Sequence, residues 1–224
     1  MGYTVVRQKR KTVAIVIDEH FNVIVKAPNY VTKKQIETLI QKNEIWILNT
    51  IEKKRKLIET KDWYYTRKLM YLGQYWPVEI VECSIKSHNI PKVDFTDKGF
   101  IIISDGSEIM SRKLVEDFYR VQAKERLAQL ANRYAQMVDV HFKKITIRNQ
   151  ATRWGSCSSK GNLSFNLKIL CAPVEMIEYV VLHEIMHLKH FNHSKAFWKD
   201  IEILMPDYKV RMNYFKEYGQ NFII

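Results

Sequence analysis

The feature that most constrains this chain is the segment His-Glu-Ile-Met-His at residues 183–187. It follows the uninterrupted apolar run Tyr179–Leu182, which is typical of a buried helix. Because residues four positions apart lie on one helix face, His183 and His187 can direct ring nitrogens at a single metal ion. Glu184 is turned from them by one residue and can take a proton from a water that the metal activates. The pattern therefore predicts a metal site carried by a helix.

The alternative is a surface helix with two solvated histidines. The apolar flank argues against it, because an imidazole on a buried face needs hydrogen-bonding partners for both nitrogens. Pro173 and Glu175 suit the first turn of a helix, and polar residues break the apolar pattern after Phe191 and Asn192. We therefore predict a buried helix over about 174–190.

Two histidines are candidates for a third ligand. His190 shares the helix face of His183 and His187. Seven residues of helix, however, span about 10.5 Å, whereas a zinc–nitrogen bond is about 2.1 Å long. His193 lies beyond the break in the pattern, where the chain can turn back toward the metal. The geometry favours His193, and a fourth position left to water would make the site catalytic.

Length and composition limit the kinds of protein this chain can be. It has 224 residues, of which 46% are hydrophobic, and only 7 Gly and 5 Pro. This suits one large domain or two small ones, without a long flexible linker. No apolar stretch approaches the ~20 residues of a membrane span, and the basic N-terminus lacks the apolar core of a signal peptide. We expect a cytoplasmic protein that does not enter the membrane.

The net charge of +12 predicts an anionic partner, such as a nucleic acid, a nucleotide or an acidic surface. Basic clusters lie at Arg7–Lys11, Lys53–Lys56 and Arg67–Lys68, and Trp63 and Tyr71 are among the aromatic residues near the last two. Such interleaving is typical of a nucleic-acid surface. The alternatives are a cationic surface that binds nothing and aromatic residues that belong to the core.

The three cysteines, Cys83, Cys157 and Cys171, are too few and too scattered for a disulfide framework. They show no Cys-x-x-Cys spacing, so we expect no zinc site built from them. Cys157 has no evident histidine and acid partners, and we do not expect it to act as a nucleophile.

The front of the chain is predicted to be rich in strands. Pairs of strands are expected at 12–17 with 22–26 and at 68–72 with 76–82, and further strands are expected at 91–96 and 99–103. Two helices are expected between the first and second pairs, one over 33–42 with Thr32 as its N-cap and one over 44–60.

The back of the chain is predicted to hold a long helix over 108–137, short strands at 142–148 and 162–166, and a loop at 151–159. After the metal helix come helices over 195–204, capped by Ser194, and over 207–217. We place a domain boundary near residue 105, with a β-rich module over 1–105 and a second domain over 106–224. The predicted fold class is α+β, with the metal site on a helix of the second domain.

The loop before the metal helix contains candidate substrate contacts. Gly155 allows a turn or the close approach of a ligand. The planar fork of Arg153 suits a carboxylate or a phosphate. Trp154 is expected to support the metal helix by packing. Asn166 is a candidate for a substrate contact or for a helix N-cap.

Several motifs together indicate a family. The segments Trp154-Gly-Ser-Cys-Ser-Ser, Gly161-Asn-Leu-Ser-Phe-Asn and Val181-Leu-His-Glu-Ile-Met-His-Leu-Lys-His occur in this order, followed by Asn192-His-Ser-Lys-Ala-Phe-Trp. They closely resemble the YgjP-like metallopeptidase family, a relative of the SprT-like and WLM zincins. The segments that begin at Arg10 and at Tyr71 resemble the front half of that family, so the resemblance covers nearly the whole chain.

The resemblance implies a zincin-like domain with one zinc ion on His183, His187 and His193, and with Glu184 as general base. Other divalent metals also suit imidazole ligands. The implied reaction is hydrolysis of a peptide bond in a peptide or protein. The rival is hydrolysis of a nucleoside triphosphate to release pyrophosphate, which some relatives are linked to and which the positive charge would suit. A third interpretation is a protease module that works when docked on DNA, as in the SprT-like relatives.

Overall fold

The chain folds around two separate hydrophobic cores, one formed by residues before Lys61 and the other by residues after it. The computed structural model describes residues 2–18, 21–83, 90–150 and 153–224, except for the side chains of residues 57 and 58. The chain forms two compact units, Met1–Lys61 and Asp62–Ile224. No helix within the described residues is long and apolar enough to cross a membrane.

The first unit is a small sheet with two helices. Its strands are β1 (Thr4–Arg7), β2 (Ala14–Ile17) and β3 (Val23–Ala27), in the order β1-β3-β2. Strand β3 pairs with β2 in the antiparallel sense and with β1 in the parallel sense. The helices are α1 (Lys33–Lys42) and α2 (Glu44–Lys61). The predicted strand pair and both predicted helices are confirmed, whereas β1 was not predicted.

Local signals fix the start of α1, and apolar side chains fix its buried face. The hydroxyl of Thr32 accepts a hydrogen bond from the Gln35 backbone N–H, and the Gln35 side chain accepts one from the Thr32 N–H. This reciprocal pair satisfies two N–H groups that a helix start leaves free. Ile36 and Ile40 then lie in the core with Val25 of β3.

The second unit begins with a four-stranded sheet that a long helix covers. The short helix α3 (Trp63–Thr66) leads into β4 (Lys68–Tyr71), β5 (Gln74–Glu82), β6 (Lys92–Thr96) and β7 (Gly99–Ser104). The strand order is β4-β5-β7-β6. Helix α4 (Glu108–Met137) follows, and Ser107 caps it by accepting a hydrogen bond from the Met110 N–H. These strands and the helix match the prediction closely.

The compact units divide between Lys61 and Asp62, whereas the sequence predicts a boundary at 105. The reason is the packing of α4. Its residues Val115 and Tyr119 are fully buried in the same core as Tyr71 and Phe100 of the preceding sheet. The Tyr119 hydroxyl also donates a hydrogen bond to the Met70 carbonyl. The sheet over 68–104 and the residues after 105 therefore share one core.

The rest of the second unit carries a three-stranded sheet and three helices. Its strands are β8 (Lys144–Arg148), β9 (Gly155–Cys157) and β10 (Asn162–Asn166), in the order β8-β10-β9. A 3-10 helix over Leu167–Cys171 leads to α5 (Val174–Met186), followed by α6 (Lys195–Leu204), α7 (Tyr208–Tyr218) and a 3-10 turn over Gly219–Asn221. The predicted loop at 151–159 is therefore partly wrong, because β9 lies within it. Residues 151 and 152 lie outside the described part.

Helix α5 ends earlier than the predicted residue 190. Its last helical residue is Met186, and His187 is the C-cap. The backbone N–H groups of Leu188 and Lys189 donate to carbonyls only three residues back, at Ile185 and Met186. The helix thus tightens into a turn at its end, which sets the direction in which the chain continues toward residue 193.

Candidate metal centre

Three histidines converge at the C-terminal end of α5. The helix places His183 and His187 four residues apart on one face, and the following turn brings His193 back to them. One ligand atom from each residue can be chosen so that all three lie within 4.8 Å of one another. The Nε2 atoms of His183 and His193 are 3.0 Å apart. The chain thus brings together the three histidines that the sequence predicts as ligands.

His190 lies outside this cluster, and its contacts explain the turn. Its Nε2 lies 2.8 Å from Asp200 Oδ2, and Lys189 Nζ lies 3.0 Å from the same oxygen. Both contacts tie the turn to α6. The backbone carbonyl of His190 lies 3.1 Å from His187 Nδ1. If His187 Nδ1 donates this bond, its Nε2 carries the free lone pair for a metal ion.

An aromatic floor supports the three histidine rings. The Phe197 ring is fully buried, and its centroid lies 5.0 Å from that of His183, 4.8 Å from that of His187 and 4.9 Å from that of His193. Trp198 stacks on His193 at a centroid distance of 5.5 Å and an angle of 20°. Both aromatic residues lie in the first turn of α6, which Ser194 caps. Neither residue has a role in the prediction from the sequence, although the predicted cap at Ser194 lies only three and four residues before them.

Two of the three histidines, His183 and His193, have the protonation state that metal binding needs. Burial, with smaller contributions from His187 and His193, lowers the pKa of His183 to about 3. Burial and the neighbouring His187 also lower the pKa of His193. A neutral imidazole keeps a lone pair for a metal ion, whereas a protonated one does not.

The donor set fits zinc. Three imidazole nitrogens at about 2.1 Å from a tetrahedral zinc ion would lie about 3.4 Å apart. The ligand atoms here are separated by distances from 3.0 Å up to at most 4.8 Å, so small side-chain movements would bring them to that spacing. The Nδ1 atom of His183 is buried without a hydrogen-bond partner among the described residues. Packing therefore orients this ring toward the cluster.

Glu184 is buried beside the histidines, with 6% of its surface exposed. Burial raises the pKa of this carboxyl to about 7, against the opposing effects of the Arg153 charge and of a hydrogen bond from the Cys157 backbone N–H. Cys157 lies on β9, so this hydrogen bond joins the strand to the helix. A buried carboxyl that faces a cleft next to converging histidines is a typical candidate for an acid or base.

Gly155 provides the space that Glu184 occupies. A Cβ atom at Gly155 would lie 2.6 Å from Glu184 Cγ and 2.7 Å from its Oε1. These distances are too short for any larger residue at 155 unless Glu184 moves. From the sequence, Gly155 is expected to permit a turn or the approach of a ligand. The structure shows that it permits the approach of β9 to α5.

Two cavities meet at Glu184, and Arg153, Gly155 and His183 line both. The first cavity has a volume of about 310 Å³. Its other lining residues come largely from α5 and α7: Trp154, Tyr179, Val180, Met212, Phe215 and Lys216. The second cavity, of about 430 Å³, is lined by residues of the 156–159 segment and by His187, Phe191 and His193. The histidine cluster thus opens to a cleft on both sides of the carboxylate.

The two predicted substrate contacts, Arg153 and Asn166, lie in different environments. Arg153 is exposed and lines both cavities, where a ligand could meet it. Asn166 is buried, and its amide nitrogen donates to the backbone carbonyls of Gln150 and Arg153. Its side-chain oxygen accepts from the Lys168 N–H, so it caps the 3-10 helix. The contact prediction for Asn166 is corrected to the N-cap alternative, because its polar atoms already bind the chain itself.

Trp154 packs against the C-terminal part of the chain. Its ring centroid lies 5.1 Å from that of Phe215 and 5.4 Å from that of Phe222, so it supports α7 and the C-terminal segment. A Cβ atom at Gly219 would lie 2.5 Å from Trp154 Cζ2, which shows how closely the two segments pack. Trp154 also lines the first cavity.

The aromatic residues near the basic clusters belong largely to the core. Trp63 and Tyr71 are each 1% exposed and lie in the core of the second unit. Lys53 and Lys56 are exposed on α2 of the first unit. The predicted nucleic-acid surface is therefore wrong at Trp63 and Tyr71, because burial leaves neither ring face free to stack on a base.

One protein-family model matches most of the chain. The model of a protein family described as YgjP-like, metallopeptidase domain, matches residues 11–218. No curated protein matches the chain. Among solved structures, the crystal structure of the metallopeptidase zymogen of Pyrococcus abyssi abylysin is similar over 44% of this chain and 99% of that chain, with 20% sequence identity and a TM-score of 0.39.

Proposed function

The chain belongs to the YgjP-like metallopeptidase family, and we propose that it is a zinc-dependent peptidase with its catalytic centre at the end of α5. In this proposal His183, His187 and His193 hold one zinc ion and Glu184 is the general base. The observation that carries it is the convergence of three histidine ligand atoms within 4.8 Å of one another, beside a buried carboxyl.

The three imidazoles leave room for an open fourth position, which is typical of catalytic zinc sites. When bound, zinc would polarise the scissile carbonyl and lower the pKa of a water in that position. The protein's own contribution is to keep the rings of His183 and His193 neutral and to hold all three rings in place. Burial does the first, and Phe197 together with the turn at His190 does the second.

Glu184 would accept the proton of the attacking water and pass it to the leaving amine. Its neighbours hold the carboxyl in place for this task. The Cys157 N–H donates to it, and the Arg153 charge favours its ionised form. Gly155 leaves the carboxyl space between β9 and α5.

Strand β9 supports a peptide as the substrate. It lies at the edge of its sheet, and Trp154, Ser156 and Ser158 direct their backbone groups at β10. Because antiparallel pairing alternates, Gly155 and Cys157 direct their backbone groups to the opposite side, where Cys157 donates to Glu184. An extended peptide could pair with the backbone groups of this edge other than the Cys157 N–H, since main-chain hydrogen bonding to a sheet edge is a common mode of peptide recognition.

Product analysis tests the substrate class. The full chain would be stripped of metal, reloaded with one equivalent of zinc, and incubated with a peptide library derived from a proteome and, separately, with nucleoside triphosphates. We expect new peptide termini by mass spectrometry and no pyrophosphate. Release of pyrophosphate with the peptides left intact would overturn the proposal in favour of the nucleotide reaction.

A further inference from the structure

The first cavity next to Glu184 has apolar walls on one side of the metal centre. Tyr179 and Val180 of α5 form one wall, and Met212 and Phe215 of α7 form the other. Its volume of about 310 Å³ accommodates one large side chain, at the lower end of the range for small-molecule sites. Because Glu184 and His183 also line it, a side chain in this cavity would belong to a residue close to the scissile bond.

Two cationic side chains accompany the apolar walls. Arg153 and Lys216 both line this cavity, and both are exposed, so a ligand can reach them. Glu184 is the one acidic residue among the residues that line it. The planar guanidinium fork of Arg153 suits a carboxylate geometrically, and the flexible Lys216 adds a second positive charge. The cavity therefore combines an apolar volume with an electropositive rim.

We propose that this cavity is a specificity pocket for a large apolar residue whose nearest neighbours in the substrate include a carboxylate. The proposal rests on the peptidase function proposed above. The carboxylate could be the free C-terminus of a peptide or the side chain of Asp or Glu, since both offer the same group to Arg153 and Lys216. Apolar burial would supply affinity, and the cations would select the negative charge.

Cleavage profiling of the zinc-loaded full chain tests the two parts separately. We expect cleaved bonds to have Leu, Met, Phe or Tyr at one fixed position and a carboxylate within two residues of it. Matched synthetic peptides distinguish the sources of the carboxylate. One set compares a free C-terminus with its amide, and the other compares internal Asp with Asn in an amidated peptide. At least one set should show about a tenfold preference in kcat/KM for the charged form, a typical size for one specific contact.

Two variants should each change one of the two preferences in the cleavage profile, the one for a carboxylate or the one for a large apolar residue. Lys216→Glu should abolish the preference for the carboxylate and leave the preference for large apolar residues. Met212→Trp should fill the apolar volume and shift the preference to small residues. Lys113→Glu is the matched control for the charge change, because Lys113 is exposed on α4 and lines neither cavity. It should leave the profile unchanged.

The outcomes separate this inference from the proposed function. Peptide cleavage with no preference for a large apolar residue, or with equal rates for charged and neutral forms in both peptide sets, would overturn the pocket and leave the peptidase intact. The pocket would also be overturned, and the peptidase function left intact, if Lys216→Glu and Lys113→Glu changed the cleavage profile to the same extent. Absence of any peptide cleavage by the zinc-loaded wild-type chain would instead overturn the proposed function itself.

Discussion

Gly155 lies so close to Glu184 that a Cβ atom at residue 155 would fall 2.6 Å from Glu184 Cγ. The strand that carries Gly155 and the helix that carries Glu184 can approach each other only because residue 155 has no side chain. This close approach also lets the Cys157 N–H reach the carboxyl. The position of the proposed general base thus depends on a residue with no chemistry of its own.

Gly155→Ala should therefore impair catalysis more than it impairs zinc binding. The added methyl group would push the Glu184 carboxyl away from its place, and a displacement of about 1 Å can cost on the order of 100-fold in rate. Steady-state kinetics and zinc analysis of the variant check this. Gly2→Ala is the control, because a Cβ there has no heavy atom within 4 Å. Unchanged kcat/KM in Gly155→Ala would show that the close contact does not matter.

The two histidines after the helix should differ in their effect on the metal. His193→Ala should lose most of its zinc and all measurable activity, because it removes one of three ligands. His190→Ala should retain both within a few-fold, since the group that contacts His187 is the backbone carbonyl of residue 190, which the substitution keeps. Zinc content after dialysis, measured by mass spectrometry, checks both. Equal metal loss in the two variants would contradict the assignment of the third ligand.

Phe197→Ala should destabilise the second unit and loosen the metal centre. The ring is fully buried and packs against all three histidines. Removal of a buried Phe side chain typically costs about 3–5 kcal/mol. Urea unfolding of the metal-free variant measures this. Phe191→Ala is the control, because Phe191 is 82% exposed and its loss should change stability by less than about 0.5 kcal/mol. Similar losses in both would contradict a supporting role for Phe197.

Cys157 should react slowly with alkylating agents despite its place beside the cleft. Burial, with a smaller effect of Glu184, raises the pKa of its thiol to about 11, and burial raises that of Cys171 to about 12. A raised thiol pKa means less thiolate at a given pH, so at pH 8 only about a thousandth of Cys157 would be reactive. Peptide mapping after iodoacetamide treatment checks this, with urea-unfolded protein as the reference. Alkylation of native Cys157 at the unfolded rate would contradict the expected shift.

Much of the fold follows from local signals in the sequence. The cap at Thr32 and the alternating apolar strands predict their elements closely, because the signal and the element share the same residues. Strand β1 was missed because its partner β3 lies some twenty residues away. Strand β9 was missed because Gly-Ser-Cys has little strand preference of its own and is held by pairing with β10.

The candidate site also has features that the sequence predicts and features that it does not. Helical spacing predicts that His183 and His187 share a face, and the break after the helix predicts the return of His193. The supporting Phe197, the rim residue Lys216 and the fit of Gly155 against Glu184 depend on contacts between separate elements, which periodicity does not report.

The most direct test of the central claim is a comparison of Glu184→Gln with the wild-type chain. The amide has nearly the same shape as the carboxyl but cannot accept a proton. The variant should keep one zinc per chain and lose about 100-fold or more in peptide cleavage, as is typical when a general base is removed. Glu175→Gln, the same change at an exposed position of α5, should leave both unchanged. Retention of more than about a tenth of wild-type turnover by a zinc-loaded Glu184→Gln variant would contradict the account.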